Sequence, residues 1–380
     1  MRLFLLSLCL FMEVFLPCYC LAQTGTALPP KETLRLTDSR GRQAKIPSSV
    51  KRIALNHVSI SEALKILGCW DRVVARDHHT TDALVFNNLQ DVPVITLQSG
   101  GPYSLNHELV LDTAPDLFLC ADISMGGFEE MEAKLSPGIP VFVVELNRIS
   151  TLEENMELLG KVLGKEKEAR AFTRWHRSLV QRITDRTGAL DDPRKQRYLF
   201  KTGWGQYDDI MTFTNEFEGI KERNRIIGGI NVAADIRATG GWVQSVNPEW
   251  LAAQDIDVII CGEPVRNGYG AHISDTAIVA TQRQNFMNLP YVAVTRAAQT
   301  GRVHMISGEF FGTARITVAN AYLAKWLHPE LFEDLNPQAV FQEYLHRFLR
   351  TDINLKETGV FTYPGSRMLP AFVPQADHIR

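Results

Sequence analysis

Two stretches of this 380-residue sequence superimpose without a gap. The run Leu105–Cys120 aligns with Val246–Cys261 at a constant offset of 141, and Asn106/Asn247, Glu108/Glu249, Asp116/Asp257 and Cys120/Cys261 coincide. Each copy reads as a short helix opened by an Asn cap with Glu in its first turn, then a break, then an apolar strand. A repeat spaced by the size of a small domain points to two similar α/β lobes rather than one large core. A cleft between such lobes is where ligands are usually held.

With hydrophobic residues at 45%, charged residues at 22% and a formal net charge of −3, the composition is that of an ordinary soluble globular protein. There is no basic excess, so a nucleic-acid partner is not expected. The N-terminus differs in kind. Arg2 precedes an apolar run from Leu3 to Leu16, broken by Pro17 and ending Cys20-Leu21-Ala22 before Gln23. That is the pattern of a secretory signal, from which Glu13 and Cys20 depart, and the run is short for a membrane span. A soluble mature chain starting near Gln23 is expected. A lipid anchor at Cys18 or Cys20 is the lesser alternative, because Pro17 and Tyr19 suit it poorly. Cys69, Cys120 and Cys261 then remain, an odd number without C-x-x-C spacing, and are expected to be small buried residues.

Residues 1–22 are thus read as the signal and 23–50 as an N-terminal extension. Lobe 51–149 alternates strands (52–55, 71–75, 116–120, 141–145) with helices (59–67, 105–112, 128–135), as a helix-covered, mostly parallel sheet requires. Ser150-Thr151-Leu152-Glu153 has the form of a capping box. Behind it Leu152, Met156, Leu159, Leu163, Phe172, Trp175, Leu179 and Ile183 continue one apolar face, with no proline from Thr151 to Asp192. The expectation is a connecting helix over 150–190, about 60 Å long if unbroken. The second lobe is placed at 191–350, and the Pro-rich 351–380 is expected to be loosely ordered.

Ligands of open α/β sheets sit beyond the carboxyl ends of the strands. That rule selects Asn56, His57, Ser59, Asp77, His78, His79, Tyr103, Asp122 and Ser124 in the first lobe. In the second it selects Trp204, Gln206, Tyr207, Trp242, Glu263, Tyr269, His272, Glu309, Phe310, Phe311 and Arg315. Aromatic rings mixed with a few polar groups suit a bulky, partly apolar ligand. Adjacent side chains in extended chain point apart, so His78 and His79 are not expected to chelate one ion. Either ring can serve as an axial ligand to haem or cobalt, and solvated loop histidines are the plainer reading. Trp242 can equally pack on its own lobe, Phe310-Phe311 can be core, and Arg315 can pair with an anionic ligand or with Glu309.

At these residues the chain resembles a known family, the substrate-binding proteins of ABC importers for iron complexes and cobalamin. The matching runs are Arg52–Asn56, Gly68–Ala75, Leu105–Leu119, Asn231–Asp235, Val246–Ile260, Gly301–His304 and Leu327–Glu330, spread over residues 50–350. The resemblance implies two Rossmann-like lobes joined by one long helix, no catalysis, no resident cofactor, a periplasmic location and a monomer. It also implies an inner-membrane permease as partner, docked through one acidic residue per lobe, here Glu108 and Glu249. Both glutamates also fit as plain helix-dipole residues. The ligand expected is a metal chelate, first a ferric siderophore-type complex, then a corrinoid or haem, with no metal ligands assigned. An exported two-lobed enzyme is the rival class, but no Walker loop, G-x-S-x-G elbow or H-E-x-x-H motif is present. Gly203-Trp204-Gly205 lacks the third glycine of a dinucleotide fingerprint. The arrangement requires Glu108 and Glu249 to precede strands of separate sheets, and a connector that does not fold back on itself.

Overall fold

The computed structural model describes residues 32–364 apart from 100, 124–125, 137, 204–208, 217, 239–242 and 264–267. The signal segment 1–22 and the tail from 365 lie outside the described residues. An antiparallel hairpin, β1 (Thr33–Thr37) and β2 (Gln43–Pro47), opens the fold. The first lobe then runs β3 (Ile53–Leu55), α1 (Val58–Leu67), β4 (Val73–Ala75), α2 (His107–Asp112), β5 (Leu117–Ala121), α3 (Phe128–Leu135) and β6 (Val141–Val144). Its sheet is parallel in the order β4-β3-β5-β6. The strands are too short to show alternation, and apolar side chains on both faces mark them as covered on both sides.

Two helices follow, α4 (Ile149–Leu163) and α5 (Glu166–Thr187). The second lobe contains β7 (Gln196–Lys201), β8 (Ile210–Phe213), α6 (Glu218–Ile227), β9 (Gly229–Asn231), β10 (Val243–Val246), α7 (Pro248–Ala252) and β11 (Val258–Glu263). It continues with α8 (Ala277–Met287), α9 (Pro290–Ala293), α10 (Arg296–Gln299), β12 (Val303–Ser307), α11 (Ile316–Leu327), α12 (Pro337–Arg347) and β13 (Thr362–Tyr363). Its parallel strands lie in the order β9-β7-β11-β12, the same winding as the first lobe, with β8, β10 and β13 added antiparallel.

The sequence repeat is therefore a structural one. Asn106 and Asn247 each cap their helix, accepting from Leu109 N at 3.1 Å and Trp250 N at 2.6 Å. Asp116 accepts from Lys51 N and Arg52 N at 3.0 and 3.1 Å, and Arg52 Nε donates to Ala114 O at 3.0 Å. In the second lobe Asp257 accepts from Arg197 N, and Arg197 Nε donates to Asp255 O, both at 2.9 Å. The repeated Asp thus ties each third strand to the strand beside it.

The connector corrects the expectation of one helix over 150–190. Gly164 adopts φ 66°, a left-handed cap that ends α4, and α5 folds back along it. Gly160 allows the close approach, since a Cβ there would lie 2.7 Å from Ala169 Cβ. Thr173 bonds Glu157 at 3.0 Å and Arg177 bonds Glu153 at 3.0 Å across the hairpin. Spanning the lobes falls to α5 alone, about 33 Å long for its 22 residues. It packs on α1 in the first lobe and on α6 and α11 in the second. The two-lobe organisation survives the break, because α2 and α7 precede strands of different sheets.

Two further corrections concern order and core. Residues 351–364 are not loose: Phe361 is buried, Ser307 N donates to Phe361 O at 2.8 Å, and β13 extends the second sheet. Nor are the lobes separate globules, since one apolar cluster runs from Leu55 and Leu119 through Phe172 on α5 to Phe310, Tyr344 and Phe348. A large apolar contact of this kind opposes free lobe motion.

Buried histidines sit in this core. Burial pushes His176 down to about 4, with Nδ1 2.7 Å from Thr317 Oγ1, and pushes His304, stacked on Trp326 at 4.5 Å, to about 3. An unfolded histidine titrates near 6.5, so the unfolded chain holds more protons below that pH. Their contribution to stability is complete above pH 6.5 and is lost as pH falls toward 4. Scanning calorimetry from pH 7 to 4 is expected to show a falling midpoint, with up to about 3 kcal/mol from His176. His176→Gln should flatten that fall, and an unchanged slope would mean that the ring is already solvated.

Candidate functional site

The two parallel sheets meet at their carboxyl ends. Arg148, just beyond β6, lies 3.8 Å from Glu222 on α6, and Arg315, beyond β12, lies 2.7 Å from Glu62 on α1. Loops that flank this junction form the candidate cleft. A cavity of about 430 Å³ lined by Ser48, Asp71, Arg72 and Gly164 lies at the opposite, amino end of the first sheet, away from every residue discussed below.

On the first lobe, His57 is the N-cap of α1, and its Nδ1 accepts from Ser59 N at 3.2 Å. That bond leaves the ring proton on Nε2, so His57 offers a donor rather than a metal lone pair. Burial, only partly offset by Asp77, pushes its pKa down to about 4 and keeps it neutral. Asp77 builds the next turn by accepting from His79 N at 2.8 Å and Thr80 N at 3.2 Å. This turn corrects the expectation that the neighbouring histidines point apart: their ring centroids are 4.0 Å apart. Among the described residues, however, no group of three or more His, Cys, Asp or Glu is placed to hold a metal ion.

Three other first-lobe candidates are scaffold. Asn56 is buried, accepting from Ala121 N at 2.9 Å and donating to Pro102 O at 3.0 Å, which fixes two cleft loops. Tyr103 is buried, its hydroxyl 2.8 Å from Ile123 O, and burial raises its pKa to about 12. Asp122 remains partly exposed and is paired with Arg40 Nε at 3.0 Å, delivered by the turn between β1 and β2.

Ser124 of the first lobe and Trp204, Gln206, Tyr207 and Trp242 of the second lie outside the described residues. Tyr269 and Phe310 are corrected from cleft to core: Tyr269 packs in the outer core of its lobe and Phe310 against Tyr322 and Phe341. Arg315 is also corrected. It is 4% exposed and paired with both Glu62 and Glu309, so its charge is already met inside the protein. Glu309 itself is held above the usual carboxylate range, by burial first, against the opposing pull of Arg315. His272 is exposed.

The strongest feature of the site was not on the sequence-derived list. Arg223 on α6 is 4% exposed, with its guanidinium 4.8 Å from the Phe311 ring and 5.3 Å from Phe200. Its Nε and Nη1 are buried without a hydrogen-bond partner among the described residues. Burial lowers its pKa and the Tyr198 hydroxyl opposes this, with no carboxylate compensating the charge among the described residues. Beside it, Phe200 stands 5.0 Å from Phe311 and 5.4 Å from Phe213, an aromatic floor. One signal was available in the sequence: Arg223 interrupts the apolar stripe Ile220, Ile226, Ile227, where a cation has no reason to be buried unless something meets it.

Two α/β lobes with parallel strands at their centres, a spanning helix and aromatic rings around a guanidinium without a partner among the described residues are the arrangement of a two-lobed binding protein. The chain belongs to the Periplasmic binding protein family, whose pattern matches residues 53–309. Among solved structures it resembles the TroA-like periplasmic binding protein FepB of Veillonella parvula, with 17% identity over 87% of this chain and 99% of that one, at a TM-score of 0.72. It also resembles the molybdate periplasmic binding protein MolA of Haemophilus influenzae (18%, 84% and 98%, 0.63). A periplasmic heme binding protein of Pseudomonas aeruginosa is similar as well (23%, 74% and 94%, 0.54). At these identities the likeness is one of fold. No curated protein is similar enough to count as a match.

Proposed function

We propose that this protein is the periplasmic solute-binding component of an ABC importer, and that it captures an anionic metal chelate of the ferric siderophore type. The observation that supports this is Arg223, a buried guanidinium bedded on Phe200 and Phe311 with two nitrogens unpartnered among the described residues. The flat catecholate rings of such a chelate can pack on the partly exposed Phe311, and its negative charge suits charge-assisted hydrogen bonds to the guanidinium fork. The neutral His57 adds a donor from the facing lobe. Haem is the second reading: its carboxylates suit Arg223, and the exposed His79 ring can reach an iron axially. A corrinoid gains less from the charge. Titrating the purified protein with iron(III) tris-catecholate, haemin and cyanocobalamin, read by tryptophan quenching, ranks the three. Binding of cyanocobalamin alone, or turnover of any of them, would remove the proposal.

Delivery to the permease is assigned to Glu108 and Glu249. Both are exposed in the first turn of their helices, at matching places in the two lobes. Reversing both charges, Glu108→Arg with Glu249→Arg, is expected to abolish uptake in cells while leaving chelate affinity within twofold. Normal uptake by that double variant would show the glutamates to be helix-dipole residues only.

A further inference from the structure

Three helix ends in this protein are completed by side chains of the opposite lobe. The N-terminus of α4 has Arg148 at the cap position, no side-chain cap and no acid in its first turn. The expected capping box at Ser150 does not form. Instead Ser150 N and Oγ donate to the carboxylate of Glu222, on α6 of the second lobe, at 3.3 and 2.5 Å. The N-terminus of α11 is likewise without a side-chain cap or first-turn acid. Its Arg315 N donates at 3.1 Å to Glu62, on α1 of the first lobe, and Tyr344 also donates to that carboxylate. At the C-terminus of α1, Arg350 of the second lobe donates to Lys65 O and, at 3.1 Å, to Ile66 O. Unpaired N–H and C=O groups at helix ends need partners, and acids at N-termini and bases at C-termini also suit the helix dipole.

We infer that Glu62, Glu222 and Arg350 are positioning residues that set the spacing of the two cleft walls by reciprocal capping across the lobe junction. The caps run in both directions and involve three different helices. A change in lobe spacing therefore uncovers several helix ends at once. Glu222 precedes Arg223 on α6, so the same contact that caps α4 ties the helix carrying Arg223 to the first lobe. The ligand-binding arm of the test rests on the function proposed above, and the distance arm does not.

The test places spin labels at Leu111→Cys and Ala252→Cys, exposed and equivalent in the two lobes, with Cys9, Cys18 and Cys20 changed to Ser. The described cysteines Cys69, Cys120 and Cys261 are buried and should not label. By electron–electron double resonance, Glu222→Ala is expected to widen the interlobe distance distribution at least twofold. Affinity for iron(III) tris-catecholate should fall at least tenfold. Adding Arg148→Ser gives α4 a cap of its own. This should restore the thermal midpoint lost in Glu222→Ala and leave the distances wide. Arg350→Met, at an exposed position, provides a milder second widening. Unchanged distances in both variants, or their full recovery with Arg148→Ser, would overturn the inference. If the wild-type protein ignores the tris-catecholate, the function proposal fails while the distances still decide this one.

Discussion

Arg223→Met is expected to raise the thermal midpoint while weakening iron(III) tris-catecholate binding about 100-fold. The two effects have one origin. The guanidinium is buried between Phe200 and Phe311 with two nitrogens unmet among the described residues. Exchanging an unfavourably buried charge for an apolar side chain of similar length is often stabilising, by about 1–4 kcal/mol. Under the proposed function, the same desolvated charge is expected to make the strongest contact to the anionic chelate, and a loss of about 3 kcal/mol corresponds to two orders of magnitude in Kd. Calorimetric unfolding and fluorescence titration of the same samples measure both. A variant that loses stability and keeps its affinity would show that Arg223 serves the fold.

Arg315→Ala is expected to act in the opposite direction. Its guanidinium lies between Glu62 of the first lobe and Glu309 of the second, all three nearly or fully buried. Removing the cation strands two carboxylates, and breaking a buried pair in this way typically costs about 3–5 kcal/mol. Burial already raises the pKa of Glu309, and Asp82 adds to the rise. Without Arg315, which opposes that rise, Glu309 should take up a proton more readily. The deficit is therefore largest near neutral pH and shrinks on acidification, as protonation removes the stranded charge. Thermal unfolding of variant and parent between pH 7.5 and 5 measures it. Adding Glu62→Gln and Glu309→Gln should recover part of the loss. A deficit below about 1 kcal/mol at pH 7.5 would mean that water replaces the cation.

The contrast between these two arginines shows how far residue order alone could go. Arg315 stood out because it follows a strand end, and its pairing with nearby Glu309 was one of the two readings the sequence offered; Arg223 was passed over because it lies mid-helix. Pairing depends on Glu62, which is 253 residues from Arg315, and no local pattern encodes that separation. The connector failed for a different reason. Apolar periodicity continues through Gly160 and Gly164, and a helical hairpin and a straight helix share the same stripe when each arm buries one face. Only the left-handed Gly164 and the close approach at Gly160 separate them. The antiparallel strands β8, β10 and β13 were missed because they are short and joined to the sheet by pairing rather than by a crossover helix.

What the sequence settled by itself was the repeated unit: two copies of cap, helix and strand at one offset, hence two similar α/β lobes. Local chemistry suffices there, because an Asn cap bonding the third residue of its helix and an apolar run are each fixed by residues close in the chain, whereas the Asp that grips the neighbouring strand reaches 60 residues or more along it. How the copies sit together was decided only in three dimensions. The shared core around α5, the crossed helix caps and the unmet charge of Arg223 all depend on groups brought together from distant parts of the chain, and burial, which sets their energies, exists only once the lobes have packed.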